Sequence, residues 1–386
     1  MQSPKVRFHH VQALRFFAAA TVVLDHTFIF TDIVYKNLID PRIVNYGGWA
    51  GGWSVALFFA ISGFVITHSS RGKSPLEFLG VRLLRIFPSY WLACLLVAIV
   101  KVAIWGSVPW TAAGFTWQSL SLLPFGRRPY PLMIEWSLIY EVFFYFMFSL
   151  FLFARWPKAK LYFSVAWLIV IVGTAAAGRD IADRWIDADV IFLSSRNLPF
   201  IGGVLLYFFI EAKPLQKYNA FLPILALGIA IFAQVVTSGF WIDATQAISA
   251  TATLAFAVRL DHDRPMSPNN ALVRFGDASY GIYLVHISVI DIILHTWSGA
   301  TMAAVTVGSL YFFGLAFGLM YSVAELALYT RLRRSAPVLM RRVFRQVPAL
   351  GACQASCRLG SVTTFLLCDR FFRRVTGRTD RFPDRS

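Results

Sequence analysis

Arg15 and His26 stand eleven residues apart in an otherwise apolar run. Eleven residues is close to three helical turns, so both side chains share one helix face, about 16 Å apart along the axis. An imidazole titrates near neutral pH and can take a proton from a hydroxyl. A guanidinium three turns away can hold an anionic substrate. The competing role for His26 is a core imidazole hydrogen-bonded to a backbone carbonyl. A second polar stripe runs through Trp136-Ser-Leu-Ile-Tyr-Glu-Val-Phe-Phe-Tyr145, where Ser137, Glu141 and Tyr145 recur every four residues on one face. A Glu141–His26 pair would fix the imidazole tautomer and stabilise its protonated form, which makes the two the candidate catalytic residues. The alternative for Glu141 is a structural carboxylate satisfied by neighbouring Tyr or Trp donors.

Arg82 and Arg85 are neighbours at i+3 near the start of another apolar run. Two guanidinium groups there could clamp the phosphates of a cytosolic donor, or anchor lipid phosphates as any interfacial arginine does. In Gly276-Asp-Ala-Ser-Tyr-Gly-Ile-Tyr-Leu-Val-His286, Tyr283 and His286 share a face, while Ala278, Ser279 and Gly281 suit close helix packing. A packing motif with His286 as an interhelical hydrogen bonder competes with a direct role. Arg196 is a candidate for acceptor binding, with Ser137, Tyr283 and His286 as supporting residues. Asp25, Lys101, Asp291 and Glu325 are further intramembrane charges. The sequence holds no P-loop, no dinucleotide glycine fingerprint and no metalloprotease helix motif.

The elements that must position these residues are membrane helices. Of 386 residues 57% are hydrophobic and 16% aromatic, with mean hydropathy +0.61. A membrane helix needs about 20 mostly apolar residues. Ten such runs follow one another, over about 11–31, 50–70, 85–106, 133–154, 161–178, 191–211, 221–238, 240–259, 277–297 and 302–330. The expected fold class is all-α, a polytopic bundle of about ten spans over 1–330, followed by a basic cytoplasmic tail over 331–386. With the N-terminus inside, Lys and Arg crowd the inner segments, including Arg71, Lys73, Arg82, Arg85, Lys158, Lys160, Arg259, Arg264 and Arg274. That bias predicts cytoplasmic termini at both ends, and it accounts for the net charge of +16 without a nucleic-acid partner. No cleavable signal is expected, since the first run carries Arg15, Asp25 and His26. Cys94 lies in a span and Cys353, Cys357 and Cys368 in the tail; no His follows His295, so no metal cluster is expected there.

Five features in this order resemble the acyltransferase 3 family of bacterial integral-membrane O-acyltransferases, over roughly residues 7–330. They are Arg15 with His26, the segment Gly52 to Phe64, Arg82-x-x-Arg85 with Pro88, Trp136-Ser137-x-x-x-Glu141-x-x-x-Tyr145, and Ser279-Tyr-Gly-Ile-Tyr283-x-x-His286. The resemblance implies an acyl-CoA donor, often acetyl-CoA, used as co-substrate with no bound cofactor. It implies an acceptor hydroxyl on a glycan or lipid-linked saccharide, such as exopolysaccharide, O-antigen, a nodulation factor or a macrolide. It assigns an essential role to Arg15 and His26 and the CoA phosphates to Arg82 and Arg85, with Arg15 on the donor's route. It further implies the bacterial inner membrane, with the lipid bilayer and glycan-assembly proteins as partners. Two departures stand out: no appended extracytoplasmic esterase-like domain is expected, and the basic tail is unusual for the family. A carrier or flippase for a lipid-linked glycan would also place Arg, His and Glu on facing helices. It would be expected to show paired halves with matching broken helices, and the sequence shows no such pairing. A non-catalytic scaffold does not explain the polar stripes.

Overall fold

The computed structural model describes residues 8–35, 39–126, 128–154, 158–179, 186–212, 239–296 and 307–346, with a few isolated positions between 221 and 229. Among them the fold is all-α, with one isolated antiparallel bridge between Phe125 and Asp187. The helices are α1 (His9–Tyr35), α2 (Pro41–Ser69), α3 (Pro75–Trp105), the single turn α4 (Trp117–Leu120), α5 (Glu135–Phe153), α6 (Ala159–Ala176), α7 (Leu198–Ala212), α8 (Gly239–Asp263), α9 (Ala271–Thr296) and α10 (Val307–Gln346). Their ends follow local chemistry. Ser74 caps α3 by accepting from the Glu77 N–H with Pro75 in the first turn, and Gly106 closes the helix at φ 75°.

Seven helices (α1, α2, α3, α5, α6, α9 and α10) are long and apolar enough to cross a membrane. The expected spans over 191–211 and 240–259 differ from that description. The first is two 3-10 turns followed by the 15-residue α7, and α8 is long enough but interrupted by Asp243, Gln246 and Arg259. The expected span over 221–238 lies outside the described residues. Helix α10 runs through residue 330 without a break and extends 40 residues, about 60 Å at 1.5 Å per residue. That is twice the about 30 Å of a hydrocarbon core.

The helices close a ring. Packing runs from α1 to α2, α7, α6, α5, α3, α10, α9 and back to α1, with α8 against α2 and α7. One face of the bundle, here the N-face, gathers the starts of α1, α3, α6 and α9 with the ends of α2, α5 and α8. There Asp261 at the end of α8 accepts from the first N–H groups of α1, at His10 (2.7 Å) and Val11 (3.3 Å). His9 Nδ1 lies 2.6 Å from the Met266 carbonyl, and Gln12 donates to Asp277 at 2.6 Å.

Small residues and stacked rings hold the ring together. A Cβ built on Gly63 would lie 2.1 Å from the Phe200 carbonyl, and one on Gly203 2.0 Å from the Ala60 carbonyl, so α2 and α7 meet backbone to backbone. On the same side Phe59, Phe200 and Phe144 stack at 4.2 and 4.3 Å, and Trp167 and Phe192 continue the column. Each such contact contributes about 0.5–1.5 kcal/mol beyond the burial itself.

Candidate active site

The ring encloses a cavity with about 860 Å³ of empty space, open mouth included, lined by α1, α2, α3, α5 and α9. Its charged wall is Arg15 from α1, Arg82 and Arg85 from α3, and Glu141 from α5. Four of the residues singled out by spacing therefore converge from three helices. Ser137 and Tyr283 line the end away from the N-face, so the cavity leads from the arginines toward mid-bundle.

The four charges are not equivalent. Arg85 is ion-paired to Glu325 of α10, a fully buried carboxylate that also accepts from Ser89 Oγ at 3.1 Å. Its guanidinium lies between the rings of Tyr280 and Tyr329, 4.8 and 4.7 Å from their centroids. Arg85 thus ties α3, α9 and α10 together with its charge compensated. Arg82 donates to Ser69 Oγ at 2.5 Å and lies over the rings of Phe78 and Tyr145; among the described residues it has no carboxylate partner. Arg15 donates to Gln12 Oε1 at 3.2 Å and lies within electrostatic reach of Glu141 and Arg85. The sequence reading treated Arg82 and Arg85 as one clamp; Glu325 separates them into an open cation and a paired one. Glu325 itself appeared in the sequence only as one intramembrane charge, with nothing to connect it to α3.

Glu141 accepts from Ser62 Oγ at 3.1 Å and from the Tyr145 hydroxyl one turn along α5. It makes no hydrogen bond to His26. The partner of His26 is His286 of α9, with His286 Nε2 3.0 Å from His26 Nδ1. The protons on this pair follow from its other contacts. His26 Nδ1 is 3.0 Å from the Val22 carbonyl, and His286 Nδ1 is 2.8 Å from the Tyr283 carbonyl. A carbonyl only accepts, so each Nδ1 carries hydrogen. His286 Nε2 is then the bare nitrogen, which shares the single Nδ1–H of His26 with the Val22 carbonyl, and His26 Nε2 is left with its lone pair. His26 thus bonds a backbone carbonyl, as a core imidazole would, and still presents an unprotonated nitrogen.

One turn along α9, Tyr283 lies 5.7 Å from His286, ring to ring. Ser137 Oγ donates to the Ile134 carbonyl at 2.9 Å, so the Tyr283 hydroxyl at 2.6 Å is the donor to Ser137. The histidine pair thus sits one helical turn beyond the cavity's inner end. Arg196 does not line the cavity. Its guanidinium stacks on Trp136 at 4.8 Å, next to Ser137. Asp25 is buried against α2, where a Cβ on Gly51 would lie 1.9 Å from its Oδ2. Lys101 and Asp291 pair at 3.0 Å between α3 and α9.

A family model described as an acyltransferase domain matches residues 8–324. The chain is 26% identical over 374 residues to "Acyltransferase MdmB" of Streptomyces mycarofaciens, an alignment covering 86% of this chain and 94% of the relative. It is 29% identical over 264 residues to "Exopolysaccharide production protein ExoZ" of Rhizobium meliloti (strain 1021), covering 63% and 78%. With "Nodulation protein 10" of Rhizobium leguminosarum bv. viciae it shares 27% over 333 residues, covering 73% and 82%. No solved structure matches the chain.

Proposed function

The chain belongs to the acyltransferase family whose domain spans its residues 8–324, and on that premise we propose that it moves an acyl group, acetyl in the simplest case, from acyl-CoA to a hydroxyl of a surface glycan. The observation that carries this reading is a cationic cavity ending one turn from an imidazole with a free Nε2. The relatives whose names concern an acyltransferase and exopolysaccharide production support the reaction and the acceptor class.

In this reading the donor enters from the N-face, its phosphates meet Arg82, and Arg15 guides the acyl-bearing arm inward. A partly closed cavity within the bundle strengthens each charge contact and limits hydrolysis of the thioester. The acceptor hydroxyl approaches from the opposite face. His26 Nε2 takes its proton as the oxygen attacks the thioester carbonyl. The C–S bond breaks, and the proton passes from His26 to the leaving thiolate, so acyl-CoA and alcohol become ester and CoA thiol. His286 accepts from His26 Nδ1 throughout, and that bond strengthens while His26 is an imidazolium. Here the Val22 carbonyl fixes the tautomer, and His286, rather than Glu141, stands beside Nδ1 where the carboxylate stands in a Ser-His-Asp triad. Glu141 offsets the charge of Arg15. Arg196 on Trp136 offers the acceptor a cation and an aromatic face near Ser137. The N-face, with its excess of Lys and Arg, is cytoplasmic, and the protein resides in a bacterial inner membrane.

The test is to incubate the purified protein with labelled acetyl-CoA and glycan. Transfer with one CoA thiol released per ester formed is the expected result. Movement of glycan without thioester consumption would refute the reading.

A further inference from the structure

A second cation, which does not line the cavity, is held in the same way as Arg82. Lys160, in the first turn of α6, donates to Ser70 Oγ at 2.9 Å with its ammonium over the Phe148 ring at 5.8 Å. Arg82 donates to Ser69 Oγ at 2.5 Å over Phe78, and the Phe78 and Phe148 rings touch at 5.4 Å. Two consecutive serines at the end of α2 therefore hold two cations from α3 and α6 on one aromatic shelf. The two hydroxyls that hold these cations belong to consecutive residues. Among the described residues neither makes an ion pair with a carboxylate, whereas Arg71 is paired with Glu211, whose charge also reaches Lys160. Each is half-buried, and a hydroxyl acceptor does not compensate a charge. An ammonium has three donors and a guanidinium five, of which one each is used. Arg82 lines the cavity and Lys160 is held by the serine next to the one that holds Arg82, so an elongated polyanion could touch both while its other end reaches inward.

We infer that Lys160 and Arg82, bridged by Ser69 and Ser70, form a phosphate site at the cavity rim, in which Lys160 takes the terminal phosphate monoester of the donor's nucleotide. This rests on the donor proposed above and adds a reason for preferring a 3′-phosphorylated nucleotide thioester over a shorter pantetheine donor. A dianionic monoester suits a compact ammonium, whereas the diphosphate bridge suits the planar guanidinium of Arg82. The same chemistry could come from a lipid headgroup, and the test separates the two.

The full-length protein is reconstituted in discs of zwitterionic lipid, and binding of adenosine 3′,5′-bisphosphate and adenosine 5′-monophosphate is measured. The bisphosphate is expected to bind at least about tenfold tighter, the scale of one charge-assisted contact. Lys160→Gln should erase that preference without changing binding of the monophosphate, and Lys160→Arg should keep it. A wild-type protein that does not distinguish the nucleotides, or a Lys160→Gln protein that still does, would overturn the site. So would a Lys160→Gln protein that loses only co-purified anionic lipid, which would mark a headgroup site. Thiol release from acetyl-CoA is followed separately: bisphosphate binding without turnover would fault the reaction assigned above and leave this site standing.

Discussion

His26 and His286 meet across the α1–α9 interface with Nδ1 and Nε2 3.0 Å apart. The carbonyls of Val22 and Tyr283 dictate where both protons lie. His286 is fully buried and does not line the cavity described above, so its part is to position His26. His286→Leu should lower kcat about 10- to 100-fold and leave the KM for acetyl-CoA unchanged. His286→Asn, whose side-chain oxygen can still accept from Nδ1–H, should recover part of the loss. Equal loss in both variants with a raised KM would point to a packing role instead.

Arg82 and Arg85 should behave differently despite being one turn apart. Arg82→Ala should fold normally and raise the donor KM about tenfold or more, since it removes an open cation. Arg85→Ala strands the buried Glu325 carboxylate and should cost about 3–5 kcal/mol, read as lost yield and lower thermal stability in detergent. Arg85→Met with Glu325→Leu should restore much of that stability. A normally stable Arg85→Ala protein would contradict the assignment.

The α2–α7 seam should be intolerant of volume. Gly203→Val places carbon atoms against the Ala60 carbonyl and should abolish folded protein, whereas Gly48→Ala, at a position with open space, should be neutral. Membrane yield and monodispersity of a fluorescent fusion report both outcomes.

These contrasts show what was legible before the structure. Spacing alone put Arg15, Ser137, Glu141, Tyr145, Tyr283 and His286 on the right helix faces, because 3.6-residue periodicity is local. It also indicated that His26 lay at the depth of a carboxylate. It did not identify which helix faces which, since that depends on close packing such as Gly276 of α9 against the Gln12 backbone of α1. Hence Glu141 was paired with His26 where His286 stands, and Glu325 was left without its arginine. Lys160 was read only as one of the inner charges, because its neighbours Ser69 and Ser70 are 90 residues away in sequence. The count of ten spans rested on hydropathy, and among the described residues seven helices are long and apolar enough to cross a membrane.

The placement of the N-face predicts that a reporter fused after residue 346 is active in the cytoplasm, as is one fused ahead of α1. Activity of either fusion on the opposite side would reverse the donor's route.

The central claim is that the free nitrogen of His26 removes the acceptor's proton. The direct measurement is thiol release from acetyl-CoA, in the presence of glycan, by wild-type protein and His26→Gln, both reconstituted and both shown to bind adenosine 3′,5′-bisphosphate equally. The variant should be slower by about 10²–10⁴-fold, the usual contribution of a positioned base, with its donor affinity intact. A His26→Gln protein that acylates the glycan at close to the wild-type rate would contradict the account.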